Sequence, residues 1–408
     1  MIRDYADKLA HLVLVKGVNL EKGQCVCINT TIAGAEYAEV MAAEAYRLGA
    51  KYVDLNIKSL EVPAVRSTTQ SDEDLSYVPG FQKNYFDEMK DEKWARISIV
   101  APDDEIRKEN EADPKKMAIN KKAINVISEA YFDEMMKSRL SWCVCTVPGP
   151  VWARKVLGEN ATEADLASIL SSFYRFDTPD YMAAWDEFDA TAKTRIEKID
   201  ALGIKTIHYE APGTDLTIGL RPEAIFEGGS EDLPNGRPFM ANLPTEEIFS
   251  CPDRNVADGY FSITRPVSVM NKIITDAKFF FKDGVCYKVE SKDGQAELDT
   301  FLEMDEGSRH LGECALVDHI SPISTSGHIY YEILLDENAS CHLALGAGYA
   351  TCLKGGADCE TEEELHAMGI NTSINHTDFM IGSDKMNITA ETHDGQKVVI
   401  MENGSFTF

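Results

Sequence analysis

Residues 23–57 read GQCVCINTTIAGAEYAEVMAAEAYRLGAKYVDLNI. GQCVCINT is an apolar run of strand length, and GAEYAEVMAAEAYRLGA reads as a helix closed by Gly49. KYVDLNI then reads as a second strand. A strand, a helix and a strand of these lengths predict a βαβ unit and a mostly parallel sheet.

Working outward, the same alternation continues. On the amino side, Tyr5, Leu9, Leu12 and Val13 recur at helical spacing. On the carboxyl side, ARISIVAP reads as a strand, PKKMAINKKAINVISEAYFDEMMKS as a helix and SWCVCTVPG as another strand. No G-x-G-x-x-G or G-x-x-x-x-G-K-[ST] follows a strand, so no nucleotide-binding loop is expected. Cys25/Cys27 and Cys143/Cys145 are spaced so that each pair of thiols shares one strand face, as buried small hydrophobes would. The ten cysteines include no C-x-x-C pair and form no disulfide framework. Reduced thiols and a cytoplasmic chain are therefore expected.

Residues 155–203 form a long polar, helical stretch. Beyond IKTIHYE the character changes to short β-rich segments: YFSITRP, KFFFKDG, VCYKVES and HIYYEILL, with AELDTFLEMDEG the clearest helix. The expected organisation is an N-terminal α/β domain with a mostly parallel sheet over residues 1–200. An α+β C-terminal domain follows over 201–408.

The 408 residues carry a formal charge of −28, which argues against nucleic acid as a partner because phosphate binding needs clustered Lys and Arg. Most of this charge reads as solvated surface, and its field attracts cations. No run of about 18 uncharged apolar residues suggests a membrane span. The N-terminus, MIRDYADKLAHLVLVKG, lacks the pattern of an export signal.

Ligand-type side chains bunch in four segments of the second domain. NLPTEEIFSCP holds Glu246 and Glu247; in extended chain they face opposite ways, so one at most serves a given site. Taken alone, this segment reads more simply as a capped helix start after Pro244 and Thr245. GSRHLGECALVDHISPI sets Glu313 among apolar residues, on one strand face with Ala315 and Val317. A buried carboxylate there needs a cation or several donors, and a metal or an arginine such as Arg309 would serve. LLDENASCHLALGAGY contains Asp336, Glu337, His342 and Tyr349, with His342 in an apolar run before a Gly-rich turn. Glu337 and His342 reach one site only if the chain bends at Asn338 to Ser340. INHTDFMIGS places His376 and Asp378 two apart, on one face of a strand.

Together these carboxylates and two histidines mix N and O donors without thiolates, a set that suits zinc, manganese or cobalt. Six candidates fit two divalent metal ions bridged by a carboxylate, about 3.5–4 Å apart as in two-metal hydrolases.

At these segments the sequence resembles the thermophilic aminopeptidases of peptidase family M29, over essentially its full length. The ordered series TEE, GECALV, DENASCHLALGAGY and NHTDFMIGS carries the resemblance most specifically, and YADKLAHLVLVKGVNLEKGQ and AYRLGAKYVDL look like the family's first domain. The resemblance implies metal ligands at Glu247, Glu313, His342, His376 and Asp378, with Tyr349 at the same centre. The interval to the next glutamate favours Glu247 over Glu246. Glu337 falls where the family has a further acidic ligand or base. Two departures are visible: Cys314 replaces an aliphatic residue, and GYATCLKGGADCETEEELHAMG is locally diverged.

What this implies is a metal-dependent aminopeptidase, acting on peptides with a free N-terminus through a metal-activated water. Glu337 would be the proton acceptor, and Tyr349 a ligand or oxyanion donor. A homodimer is also implied. The rival readings are a dinuclear hydrolase of another amide or ester, and a non-catalytic metal- or peptide-binding relative.

Overall fold

The computed structural model describes residues 1–107, 114–270 and 272–408. Its contacts divide the chain into two compact units. One comprises Met1–Met182 with Ser230–Leu243, and the other Ala183–Gly229 with Pro244–Phe408.

The first unit is α/β. Its five-stranded sheet runs in the order Tyr52–Lys58, Cys25–Thr31, Ala95–Val100, Trp142–Thr146, Asn242–Leu243, with every neighbouring pair parallel. The crossover after Cys25–Thr31 is the helix Ala35–Leu48. It ends because Gly49 adopts a left-handed φ of 103° and returns its N–H to Ala45 and Tyr46, a conformation that costs a residue without Cβ little. The expected helix over residues 114–138 is observed as Pro114–Met136.

The second unit is α+β and, besides a two-stranded pair of Val267–Val269 with Lys272–Ile274, holds two larger antiparallel sheets. The larger has eight strands in the order Val285–Ser291, Ala277–Lys282, Ala257–Ser262, Thr214–Gly219, Ile204–Ala211, Asn387–Thr392, Lys397–Glu402, Ser405–Phe406. The smaller runs Glu247–Ser250, Leu311–Val317, His342–Gly346, His376–Met380. Strand alternation splits the smaller sheet into two faces. Ile248, Leu316, Leu343, Leu345 and Phe379 pack into one apolar core with Ile207, Leu216, Phe261 and Phe279 of the larger sheet. The opposite face carries Glu247, Glu313, His342, His376 and Asp378.

Two segments differ from the sequence reading. HIYYEILL is not a strand, because local polar groups satisfy its backbone instead of a ladder. The Glu332 carboxylate accepts the Leu335 N–H, and Asp336 accepts those of Tyr330 and Glu332, which starts the helix Ile333–Glu337. TEEIF does not start a helix either. Glu247–Ser250 pairs antiparallel with Cys314–Val317 and is held as a strand by that ladder.

Candidate active site

The register of the smaller sheet builds the site. Ala315 pairs with both Phe249 and His342, while Ala344 pairs with both Glu313 and Asp378. Gly346 pairs with His376. Ala315, Ala344 and Gly346 therefore form a floor of small residues, above which the long acidic and imidazole side chains converge. Gly346 also takes φ 117°, and a Cβ on it would stand 2.1 Å from the Asn375 carbonyl oxygen.

His342 Nε2 lies 3.3 Å from Glu247 Oε2, 3.9 Å from Glu313 Oε1 and 4.0 Å from Asp378 Oδ1. His376 Nε2 lies 3.0 Å from Glu313 Oε2 and 3.4 Å from Asp378 Oδ1. Among the described residues, two sets of ligand-type atoms fall within 4.8 Å of one another: Glu247, Glu313 and His342, and Glu313, His376 and Asp378. Glu313 belongs to both. Its burial on a strand is explained by this cluster rather than by an ion pair with Arg309, whose guanidinium donates to the Leu302 carbonyl.

Each imidazole is oriented by its other nitrogen. Nδ1–H of His342 donates to the Ser340 carbonyl at 3.1 Å, and Nδ1–H of His376 to the Ala347 carbonyl at 2.8 Å. A carbonyl only accepts, so both rings are fixed with Nε2 facing the carboxylates, the arrangement common for ligating histidines. Sequence reasoning missed these two carbonyls, because a backbone acceptor leaves no residue-type signal.

Burial opposes protonation of both histidines. For His342 the charges of Glu247, Asp378 and Glu313 outweigh it and raise the pKa. For His376 the negative charges of Asp378 and Glu313 raise it well above the usual value. Burial, then the charges of Glu313 and Asp378, push Glu247 up to about 7 despite the opposing histidines. Asp378 is held below the usual range, since the two histidines overcome its burial. Glu247 Oε2 and Asp378 Oδ1 are shielded from solvent, yet neither accepts a hydrogen bond. Buried anionic oxygens without donors are costly, and a cation relieves that cost. The residues present thus fit divalent metal: shielded N and O donors, preset imidazoles and unsatisfied oxygens.

Glu337 reaches the same region. The helix Ile333–Glu337 ends at Asn338, and the turn through Ser340 leads into the His342 strand, which supplies the required bend. Glu337 lies outside both sets of three, but its burial and the charges of Asp378, Glu247 and Glu313 raise its pKa well above the usual value. Asn338, fully buried, ties this turn to the first strand. Its Oδ1 accepts the Glu246 N–H at 2.7 Å, and its Nδ2 donates to the Leu334 carbonyl at 2.9 Å. Its part in the site had no sequence signal beyond an expected bend. Glu246 is buried and lies outside both sets.

The Tyr349 ring meets that of His376 edge-on at 5.1 Å between centroids and packs against Phe249 at 5.4 Å. Burial, followed by the charges of Glu313, Asp378, Glu337 and Glu247, keeps its phenol protonated. The site can therefore hold cations, accept a proton at a carboxylate and donate a hydrogen bond from a phenol. No helix among the described residues is long and apolar enough to cross a membrane.

Known proteins share this architecture throughout. The family model for thermophilic metalloproteases (M29) matches residues 3–406. Aminopeptidase PepS of Streptococcus thermophilus is 34% identical over 408 residues, covering 99% of this chain and 98% of that protein. Aminopeptidase 2 of Geobacillus stearothermophilus is 34% identical over 406 residues, covering 98% and 97%. The solved structure of wild-type AmpT from Thermus thermophilus matches with a TM-score of 0.90 at 28% identity, covering 100% of both chains. The chain belongs to the thermophilic metalloprotease family M29 and is a peptidase.

Proposed function

We propose that the protein is an aminopeptidase that removes N-terminal residues from peptides at a two-metal centre. Its ligands would be Glu247, Glu313, His342, His376 and Asp378, with Glu337 beside them. The observation that carries the reading is the sharing of Glu313 between two sets of three ligand atoms. Zinc, cobalt and manganese suit this oxygen and nitrogen donor set.

Two such cations, when bound, lower the pKa of a water and polarise the scissile carbonyl. The chain's own groups do the rest. Glu337 accepts the proton of the attacking water and delivers it to the leaving amine, a role suited to a carboxylate outside both sets of three. The Tyr349 hydroxyl, held protonated, donates to the oxygen of the carbonyl under attack. His342 and His376 cannot turn away without losing their carbonyl acceptors. Four carboxylates, Glu247, Glu313, Glu337 and Asp378, oppose two imidazoles, an excess of negative charge that attracts a substrate's α-ammonium.

Hydrolysis of aminoacyl anilides should stop after chelation and return with a divalent cation, and N-acetylated peptides should be rejected. Full activity after exhaustive metal removal would refute the metal mechanism. Equal cleavage of acetylated peptides would point to a hydrolase of broader amide or ester specificity.

A further inference from the structure

One face of the parallel sheet in the first unit has a composition unlike a helix-covered core. Register places Cys27 beside Asp54 and Arg96, Asn29 beside Asn56 and Ser98, and Thr31 beside Lys58. The amino-terminal half of this face is dry: Cys25 and Cys27 pack with Met89, Trp94, Tyr131 and Met135. The carboxyl half is mostly polar on these strands, with Asn29, Thr31, Asn56, Lys58 and Ser98 beside a single apolar side chain, Val100. A parallel sheet covered on both faces is ordinarily apolar on both.

The strand order places Cys25–Thr31 and Ala95–Val100 side by side, with the chain crossing to opposite sides of them. In open sheets of this order, ligands bind at the carboxyl ends of the two strands flanking that reversal.

Two cations stand on this face without compensation, Arg96 level with Cys27 and Lys58 level with Thr31. Among the described residues, neither Lys58 nor Arg96 has a carboxylate within ion-pair distance, although the chain holds 68 Asp and Glu against 40 Lys and Arg. Arg96 lies over the Phe132 ring at 5.5 Å. Lys58 is exposed as a residue, yet the protein around its ammonium, then the charge of Arg96, lowers its pKa. Asp54, the one carboxylate these strands turn to this face, is engaged by the Tyr85 hydroxyl. Two further donors wait nearby. The Tyr131 hydroxyl, on a residue 1% exposed, has no acceptor for its proton and lies beside Arg96, whose charge it feels. Thr31 Oγ1 is shielded from solvent and also lacks a partner.

We propose that this face binds a small-molecule oxyanion, a phosphate or carboxylate group held between Arg96 and Lys58. The guanidinium supplies a planar fork, the ammonium a point charge, and the hydroxyls of Tyr131 and Thr31 complete the shell. The Asn29–Asn56 amide pair, joined at 3.2 Å, forms its floor.

The test is calorimetric titration of the metal-loaded, full-length protein with inorganic phosphate and, separately, succinate at constant ionic strength. Saturable binding of at least one is expected, and the tighter of the two identifies the group. Lys58→Gln and Arg96→Gln should each weaken it about tenfold or more, while Lys83→Gln on a separate helix leaves it unchanged. Absence of saturable binding by both anions would overturn the proposal. So would affinity unchanged in Lys58→Gln and Arg96→Gln, since anion capture at the metal centre would survive both substitutions. Lys58 is exposed, so its variant keeps the test decisive even if Arg96→Gln does not fold.

Discussion

His376 Nε2 lies 3.0 Å from Glu313 Oε2, and the two residues come from strands that do not touch: the His342–Gly346 strand lies between them. The span is possible because Ala344 and Gly346, on the intervening strand, leave the space above it open. The small floor residues are thus as much a part of the site as the acids and imidazoles.

Substituting Glu313 by Gln removes the group common to both ligand sets. Bound metal should fall from two equivalents to one or none, and aminoacyl anilide hydrolysis by about a hundredfold or more. Elemental analysis of the dialysed variant gives the stoichiometry. Two retained equivalents would remove Glu313 from its bridging place.

Metal-free protein should lose stability as pH rises from about 5 to about 8. The folded form holds protons that the unfolded chain releases: Glu247 goes from 4.5 unfolded to about 7 folded, and Glu337 is also raised. His342 and His376, raised above 6.5, extend the loss to higher pH. Asp378, held low, has already delivered its opposite contribution below this window. Saturating divalent metal should flatten the profile, because it binds only the folded, deprotonated site. Melting temperatures of chelated and loaded samples across this range test both statements.

Glu337→Gln should lower kcat about a hundredfold to ten-thousandfold while both metals remain bound. It should also raise the melting temperature of metal-free protein at neutral pH, because one carboxylate of a mutually repelling group is gone. Loss of a metal equivalent would make Glu337 a ligand instead.

For Tyr349→Phe the expectation is a kcat reduced about a hundredfold, with KM and metal content little changed. Steady-state kinetics alongside metal analysis separates the two roles open to this phenol. A drop in metal content would identify it as a ligand.

Gly346→Ala should cost about 1–3 kcal/mol through backbone strain alone, and more through the clash at Asn375. Because Gly346 pairs with His376, the same change should weaken metal binding. Thermal melts with and without metal measure both effects.

The sequence alone determined much of this protein. The alternation in residues 23–57 specified a parallel α/β unit, because strands and helices of those lengths can be joined only by crossovers. The two-residue spacing of His376 and Asp378 put them on one face, since strand side chains repeat with period 2. The candidate site residues stood out partly because GECALV and CHLALG set polar groups in runs that otherwise bury, and partly through the resemblance to family M29, which singled out Glu247.

Tertiary structure decided the rest. Glu247 could have capped a helix until the ladder to Cys314–Val317 held it extended. HIYYEILL has a strand's composition, but the carboxylates of Glu332 and Asp336 turn it into a helix start. The bend that brings Glu337 toward His342 depends on Asn338 anchoring the distant Glu246 N–H. The carbonyls of Ser340 and Ala347 that set both imidazoles belong to the backbone, which every sequence shares. Local pattern reveals which way a side chain faces, but pairing between distant strands determines what it meets there.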